Sequence, residues 1–309
     1  MTKVAIIGAG SCGLYLAWKL SEKDCEITVF EKKKDINNKA CSGLFSERIL
    51  DFVPASKNLL ENEINSVIVH FPRKSVKVKF SKKFLVMDHA KLDNLLLKTA
   101  EDSGAKIILN HNVSKLPEGF DKIIGADGAD SIVRQALKLP KLSFRLGIQG
   151  FVTKKSKEDY VETWPCKNGF IWRIPRGNKI EYGIMTDVNE AYKTFTEFVE
   201  KKNIHLENIK ARIIPQGFNI PLDEEATLCG DAAGLTKPWS GGGVVWGMVA
   251  ADILVKNFPD FSRYSKECKK FFGFKILKSK ILTRAVYFVG FNLPFLMPNN
   301  TRIESDFLV

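Results

Sequence analysis

The sequence has little of what a metal site or a disulfide framework requires. It contains four histidines and six cysteines among 309 residues. The cysteines form no C-x-x-C pair, and the histidines do not have the spacing of metal ligands. This pattern predicts a reduced, cytoplasmic protein that binds no metal.

Long apolar runs and internal repeats are also missing. No stretch has the roughly 18 uncharged apolar residues of a membrane-spanning helix. The nearest, from Gly241 to Val255, opens with three glycines and contains Asp252, so we expect a buried helix there. With 45% hydrophobic and 27% charged residues, the composition is typical of a globular protein of about two domains.

Acidic residues are outnumbered by basic ones. There are 35 Asp and Glu against 47 Lys and Arg, a net charge of +12. Such an excess favours anionic partners, including phosphorylated ligands and acidic lipid surfaces. A lysine-rich composition that only maintains solubility is the alternative. Nucleic-acid binding would depend on charge alone, and we do not expect it.

The first 31 residues have the pattern of a dinucleotide-binding unit. A β-branched run from Val4 to Ile7 predicts a buried parallel strand, and Gly8, Gly10 and Gly13 follow as G-x-G-x-x-G. These glycines permit a tight turn, backbone approach to a pyrophosphate and close helix packing, and the helix N-terminus attracts the phosphate charge. Glu31, which ends the second predicted strand, can accept hydrogen bonds from a ribose. This unit alone does not distinguish NAD from FAD as the bound dinucleotide.

Three later loops also contain glycine where a ligand could approach. They carry Asp127-Gly128, Gly230-Asp231, and the consecutive Gly241, Gly242 and Gly243. The first two follow predicted strands, whose carboxyl ends are the ligand-binding edge of a parallel sheet. Backbone N–H groups in the third could meet a phosphate or an electron-rich ring edge, although such loops also occur for packing alone. Together with the first motif, these loops favour a cofactor as long as FAD over a mononucleotide.

Segments between these loops have strand patterns of a second sheet. Alternating runs separated by turn residues predict an antiparallel hairpin and meander. We therefore expect an α/β protein with a Rossmann-like FAD-binding domain, built on a parallel sheet, and a smaller, discontinuous antiparallel-sheet substrate domain. The predicted boundaries are 1–65, 88–144 and 212–260 for the first domain, 66–87 and 145–211 for the second, and 261–309 for a C-terminal basic and apolar helical segment.

Arg48 lies within a predicted helix from Ser46 to Phe52, with Ser46 as a candidate N-cap. A guanidinium at this place could reach a phosphate or a flavin edge. A solvated surface arginine is the alternative.

Taken together, the motifs resemble those of the flavoproteins that share their fold with the aromatic hydroxylases. The matching runs are Gly8-x-Gly10-x-x-Gly13 with Glu31, Gly125-Ala126-Asp127-Gly128-x-x-Ser131-x-x-Arg134, and Gly230-Asp231-Ala232-Ala233-Gly234. Within that group, Cys41-Ser42-Gly43 is similar to the C-x-G motif of the geranylgeranyl reductases, and Phe170 to Arg176 is similar to their aromatic-x-W-x-x-P signature. His89 is a departure, because these proteins often carry an arginine there.

The resemblance implies FAD as cofactor and a prenyl lipid or isoprenoid diphosphate as substrate. It assigns the pyrophosphate to the first glycines, the adenosine ribose to Glu31, the ribityl chain to Asp231 and the isoalloxazine edge to the Gly241 loop. The residues expected to bind the cofactor are Gly8, Gly10, Gly13, Glu31, Arg48, Asp127, Gly230, Asp231, Gly241, Gly242 and Gly243. NAD(P)H, ferredoxin and a deazaflavin are the candidate electron donors.

Saturating an isolated alkene needs a hydride donor in contact with the substrate and a proton for the other carbon. We expect Cys41 to serve as proton relay or positioning group, with a buried structural thiol as the alternative. Phe170, Trp172 and Pro175 are the expected substrate-binding residues, unless they only pack a core. The alternative functions are an aromatic monooxygenase or halogenase of the same fold and a non-enzymatic flavin- or lipid-binding protein.

The C-terminal segment is basic and apolar. Between Ser262 and Arg284 there are eight basic residues and one acid, interleaved with apolar residues. Such a segment can lie at the inner face of a membrane, beside anionic headgroups. The alternative is a pair of helices that close the FAD domain with a solvated lysine face.

Overall fold

The computed structural model describes residues 1–36, 40–304 and 306. The strands are β1 (Thr2–Ile7), β2 (Cys25–Phe30), β3 (Leu44–Ser46), β4 (Leu60–Phe71), β5 (Lys74–Met87), β6 (Lys106–Ile108), β7 (Lys122–Gly125), β8 (Ser143–Val152), β9 (Tyr160–Cys166), β10 (Gly169–Pro175), β11 (Ile180–Asp187), β12 (Glu207–Gln216), β13 (Ala226–Leu228) and β14 (Asn300–Ile303). The α-helices are α1 (Ser11–Ser21), α2 (Ile49–Phe52), α3 (His89–Asp102), α4 (Ile132–Ala136), α5 (Val188–Lys201), α6 (Val244–Asn257) and α7 (Phe261–Asn292). No helix in this part of the chain is long and apolar enough to cross a membrane.

The first sheet is parallel, with strand order β13-β7-β1-β2-β6. Its central strand is apolar because both faces are covered: Val4, Ala5 and Ile6 of β1 have no solvent exposure. Helices α1, α3 and α6 pack together over this sheet. The main core of the protein therefore lies under the loops that follow β1, β7 and β13.

The second sheet is mostly antiparallel, with order β12-β8-β11-β10-β9-β4-β5-β14 and β3 paired to β5. Isoleucines of its middle strands, Ile148, Ile171 and Ile184, pack against Ala191 and Phe195 of α5. Because side chains alternate along a strand, the other face is free to meet the first sheet's loops. The predicted fold class, α/β with a parallel Rossmann-like sheet and an antiparallel second sheet, is confirmed.

The element boundaries differ from prediction at several places. Strand β4 begins at Leu60, before the predicted second-domain boundary at residue 66, and β5 runs without a break from Lys74 to Met87 because residues 81–83 contain neither glycine nor proline. Strand β12 continues to Gln216, so residues 212–216 pair within the second sheet although the predicted first domain includes them.

The C-terminal segment is only partly helical. One 32-residue helix, α7, replaces the two helices considered from sequence. It ends before Pro294, which cannot continue a helix, and the chain then forms β14 parallel to β5. The predicted helix from Ser46 is also shorter, because Ser46 pairs with Phe84 in the second sheet and α2 begins only at Ile49.

Candidate functional site

The first glycine loop leaves an open helix end. Gly10 precedes α1 with no side-chain cap, so backbone N–H groups of the first helical turn are available to an anion. Gly8 has φ +106°, and a Cβ there would lie 2.5 Å from the Ala126 oxygen. A Cβ at Gly13 would lie 2.0 Å from the Gly8 oxygen. Glycine is therefore required at both positions, and the loop after β7 closes on the first one.

Two carboxylates stand beside this loop. Glu31 is buried and accepts hydrogen bonds from the N–H groups of Ala9 (2.8 Å) and Lys33 (2.9 Å), which leaves lone pairs on both oxygens. One oxygen of Asp127 accepts from the Ile132 N–H at 2.7 Å, whereas Oδ1 is buried without a hydrogen-bond partner. Burial raises the pKa of Asp127. An orphaned acceptor at this edge fits a ligand that brings hydroxyl or amide donors.

The loop after β13 reaches the same place. A Cβ on Gly230 would lie 3.2 Å from the sulfur of Cys12, at the start of α1. Asp231 pairs with Arg212 of β12 at 2.9 Å, and its Oδ1 would lie 2.8 Å from a Cβ on Gly243. Gly243 immediately precedes α6 and provides no side-chain cap. Two uncapped helix starts and three loops therefore converge, as a long dinucleotide requires.

Arg134 joins two of these loops through backbone oxygens. Its Nε and Nη2 donate to the Ala232 oxygen at 3.0 and 2.9 Å, and its Nη1 donates to the Pro140 oxygen at 3.0 Å. Because these donors are occupied, Arg134 shapes the cradle rather than presenting a free guanidinium.

One face of the second sheet points at this cradle. Trp172, Gly183 and Gln149 are paired neighbours across β10, β11 and β8, so their side chains share a face. Met185 on that face would lie 2.4 Å from a Cβ on Gly241. Thus Gly241, which has φ +68°, has no room for a side chain against the sheet.

The predicted substrate residues divide between the two faces. Phe170 and Trp172 share the cradle-facing side, with ring centroids 5.9 Å apart, and Trp172 lies across Gly183, where a Cβ would be 2.2 Å from its ring. Pro175 is three residues after Trp172 and therefore points to the opposite side. The structure does not bring Pro175 together with the two aromatic residues.

The Cys41-Ser42-Gly43 loop lies between the two sheets. The Gln149 amide donates to the Cys41 oxygen at 3.2 Å, and the Gly43 N–H donates to the Cys41 sulfur at 3.4 Å. Gly43 has φ +61°, and a Cβ there would lie 2.1 Å from the Met87 oxygen. The Gly43 N–H therefore contacts the thiol itself, and Gln149 on the cradle-facing side of β8 fixes the backbone beside it.

Arg176 was not singled out from sequence, although it ends the aromatic motif. Its guanidinium is almost fully buried and donates to Glu181 at 2.9 Å, Glu61 at 2.8 Å and the Ser42 oxygen at 2.6 Å. The Trp172 indole donates to the same Glu181 at 3.0 Å. The sequence signal was two charges, Arg176 and Glu181, on either side of the β10–β11 turn.

Arg48 is paired with the C-terminal tail. Its guanidinium lies 3.3 Å from Glu304 and 3.7 Å from Asp306. Asp306 is fully buried, also pairs with Lys237, and its backbone oxygen accepts from the Trp246 indole at 3.0 Å. Arg48 therefore contacts the C-terminal tail, through residues more than 250 positions away that local pattern cannot reveal, and its role in cofactor binding stays a prediction.

Comparisons with known proteins agree with this architecture. A family model for an NAD(P)-binding Rossmann-like domain matches residues 6–42. Digeranylgeranylglycerophospholipid reductase 1 of Methanosphaera stadtmanae is 25% identical, over 86% of this chain and 78% of that protein. A kynurenine 3-monooxygenase of Legionella pneumophila is 24% identical over 67% of this chain and 56% of its own. The solved structure of a geranylgeranyl bacteriochlorophyll reductase-like protein from Thermoplasma acidophilum has a TM-score of 0.81 at 20% identity, covering 92% of this chain and 87% of that one.

Fold, glycine loops and relatives together define an FAD-dependent oxidoreductase, with FAD as the cofactor. Within this class the predicted resemblance to the geranylgeranyl reductases is confirmed, since a reductase sequence and a reductase-like fold both match most of the chain. Among the described residues, no group of His, Cys, Asp or Glu is arranged to hold a metal ion.

Proposed function

We propose that this protein is an FAD-dependent reductase that saturates isoprenoid double bonds of a prenyl lipid. The observation that carries the proposal is the position of the Cys41 loop, which Gln149 and Arg176 fasten to the sheet face that bears Trp172. The similarity to a digeranylgeranylglycerophospholipid reductase supports the substrate class.

The cofactor would be held mainly by backbone groups. The N-terminus of α1 would bind the pyrophosphate, Glu31 the adenosine ribose, Asp231 the ribityl chain, and the start of α6 the ring edge. The full predicted set is Gly8, Gly10, Gly13, Glu31, Arg48, Asp127, Gly230, Asp231, Gly241, Gly242 and Gly243.

The chain's own contribution to reduction is orientation, exclusion of water and a proton. Reduced FAD supplies a hydride when it is bound. Phe170 and Trp172 form an apolar surface on which an isoprenoid chain can lie, and Cys41 presents a thiol from the loop beneath that face. When two reactants must meet, positioning of this kind contributes much of the rate enhancement over the uncatalysed reaction.

Anaerobic incubation with a chemically reduced flavin tests the activity. The dithionite-reduced protein is mixed with an unsaturated archaeal-type lipid, and mass spectrometry should show a gain of two mass units per reduced bond. Cys41→Ala should lose most of this product, whereas Cys166→Ala, at a thiol on the far turn of β9, should not. No mass gain with any prenyl lipid or isoprenoid diphosphate would exclude the function. Running the assay with NAD(P)H, ferredoxin or a deazaflavin in place of dithionite identifies the donor.

A flavin-dependent aromatic monooxygenase is the second candidate, favoured by the similarity to kynurenine 3-monooxygenase. It would oxidise NAD(P)H rapidly under oxygen when an aromatic substrate is added. A flavin that stays bound but that no donor can reduce would instead indicate a binding protein.

Helix α7 supports peripheral contact with an anionic membrane. Phe274, Leu277, Ile281 and Phe288 are exposed and share one side of the helix by their spacing. Lysines at 275, 278 and 280 flank this stripe, which suits anionic headgroups. Sedimentation with vesicles tests the contact: binding to vesicles with anionic lipid should exceed binding to neutral ones and should fall in Phe274→Ser/Ile281→Ser. Equal recovery in the supernatant with both vesicles would exclude it.

A further inference from the structure

Two cysteine sulfurs meet where two loops of the cofactor cradle come together. Cys12 lies in the first turn of α1, and Cys229 directly follows β13, 217 positions later in the chain. The Cys12 S–H donates a hydrogen bond to the sulfur of Cys229 at 3.3 Å, and both residues are free thiols. Spacing along the chain did not indicate this contact, and the proposed reduction uses neither thiol.

Glycines and backbone atoms border this pair of sulfurs. A Cβ on Gly230 would lie 3.2 Å from the Cys12 sulfur, and a Cβ on Gly247 of α6 would lie 3.7 Å from it. The Gly247 oxygen lies 3.5 Å from the Cys12 sulfur and 3.8 Å from the Cys229 sulfur. Because the S–S length of a disulfide is about 2.0 Å, the sulfurs need to approach each other by only about 1.3 Å. The two thiols are therefore already close to bonding distance.

The two thiols differ in exposure and in acidity. Cys229 is fully buried, whereas Cys12 is partly exposed. The hydrogen bond between them lowers the pKa of Cys229 and raises the pKa of Cys12. Cys229 is thus the first of the two to lose a proton, and its sulfur can then accept the proton of Cys12. A small oxidant that arrives from solvent meets Cys12 first.

We propose that hydrogen peroxide joins Cys12 and Cys229 in a disulfide, and that this bridge retains FAD by fixing one loop of the cradle to another. The inference goes beyond the proposed reductase function and needs only that the protein binds FAD. A disulfide that forms in response to an oxidant is the kind found in redox-sensing proteins of reducing compartments.

The bridge would act on FAD through the loops that it joins. The N-terminus of α1, which carries Cys12, is the proposed site of the pyrophosphate. Asp231, two residues after Cys229, is the proposed site of the ribityl chain. A covalent link between these loops restricts their separation, so a cofactor enclosed between them should leave more slowly.

The oxidation balances in atoms and electrons. The Cys12 sulfur attacks one oxygen of hydrogen peroxide and gives its proton to the Cys229 thiolate; the O–O bond breaks, and a sulfenic acid and hydroxide form. The hydroxide takes the proton from Cys229 and becomes water. The Cys229 thiolate then attacks the sulfenic sulfur, the S–S bond forms and the S–O bond breaks. The second hydroxide takes the proton that Cys229 first released to solvent, so two thiols and one peroxide yield one disulfide and two waters.

Mass spectrometry tests whether the bridge forms. The FAD-loaded protein is treated with hydrogen peroxide, its remaining thiols are blocked with N-ethylmaleimide, and it is digested without reductant. The intact mass should fall by about two mass units, and a linked peptide pair should contain Cys12 and Cys229. Oxidation of the partly exposed Cys166 shows that enough peroxide was present. The inference is overturned if Cys166 is oxidised while Cys12 stays unlinked, or if Cys229 links instead to Cys268 of α7.

The rate of FAD release tests what the bridge does. The oxidised protein is diluted, and release is followed by the rise in flavin fluorescence as FAD leaves. Release should be several-fold slower than from the same protein after dithiothreitol has reduced the bridge. A bridge that forms but leaves the release rate unchanged overturns the role in retaining FAD.

Matched variants exclude other effects of peroxide. In Cys12→Ser and in Cys229→Ala, peroxide should leave the rate of FAD release unchanged, and circular dichroism reports whether each variant folds. Cys166→Ala should still form the bridge and respond to peroxide as the unaltered protein does. Slower release after peroxide in Cys12→Ser would overturn the inference. None of these measurements uses a lipid, so failure of the reductase function would leave their result intact.

Discussion

The guanidinium of Arg176 donates to the backbone oxygen of Ser42 at 2.6 Å, across 134 positions of sequence. This bond joins the end of β10 to the loop that presents Cys41. The same guanidinium also donates to the carboxylate of Glu181, and this carboxylate accepts a second hydrogen bond from the indole N–H of Trp172. One buried cation therefore sets the thiol loop and the aromatic face relative to each other.

Replacing Arg176 by Met should destabilise the protein by about 3–5 kcal/mol, because Glu181 would remain buried without its partner. Urea unfolding measures the change. The matched control is Arg263→Ala at the exposed pair with Glu267, where we expect a loss below about 1 kcal/mol. A loss at Arg176 as small as the control would mean that Glu181 is not held as a buried charge.

Gly8→Ala should abolish FAD retention, since φ is +106° and the new Cβ would lie 2.5 Å from the Ala126 oxygen. The flavin absorbance per protein should fall at least tenfold. Gly104→Ala separates crowding from backbone strain, because Gly104 has φ +93° but nothing within 4 Å of a Cβ. That variant should be destabilised and yet keep its flavin; equal flavin loss in both would contradict the assigned role of the first loop.

Gly183→Ala should move Trp172, whose ring is 2.2 Å from the added Cβ. We expect normal FAD content with a reduction rate at least several-fold lower, measured as lipid product per bound flavin. Gly273→Ala, in α7 with nothing nearby, should leave product formation unchanged and stabilise the helix by about 0.5–1 kcal/mol. Unaltered reduction in Gly183→Ala would argue against Trp172 as a substrate-binding residue.

His89 should make stability fall as the pH rises. Burial alone would lower its pKa, but the charged groups packed against it raise the pKa to about 10, whereas in the unfolded chain it is about 6.5. The native state therefore holds the proton more tightly, and the resulting stabilisation is complete below about pH 6.5 and is lost as the pH approaches about 10. Urea unfolding across this range should show a steeper decline for the unaltered protein than for His89→Gln. Parallel curves for the two proteins would contradict the raised pKa, and His70→Gln serves as the control.

Much of the cofactor cradle could be predicted from sequence because its determinants are local. Gly8, Gly10 and Gly13 make a turn and a helix start from consecutive residues, and the apolar run of β1 marks a strand buried on both faces. The loops at Asp127 and Gly230 are equally local, since each follows a short apolar strand. Their convergence followed from one rule, that parallel strands end at a common edge.

The chemistry beside the cradle could not be predicted in this way. Arg176 reaches Ser42, and Ser11 reaches His89 across 78 positions, so no spacing within one segment indicates either contact. The contacts of Arg48 could not be predicted either, because Glu304 and Asp306 are distant from it in the sequence. The sheet face on which Pro175 lies could be assigned only from the strand register, because the register decides the face of each side chain.

The sequence by itself determined the class of fold and the cofactor, because backbone geometry and hydrophobic pattern depend on neighbouring residues. Tertiary structure alone decided what surrounds Cys41, because a buried charge or proton takes its energy from the groups packed against it. His89 was noticed in the sequence only as a departure from an expected arginine, and its partners Ser11 and Asp93 became apparent once α1 and α3 were packed together.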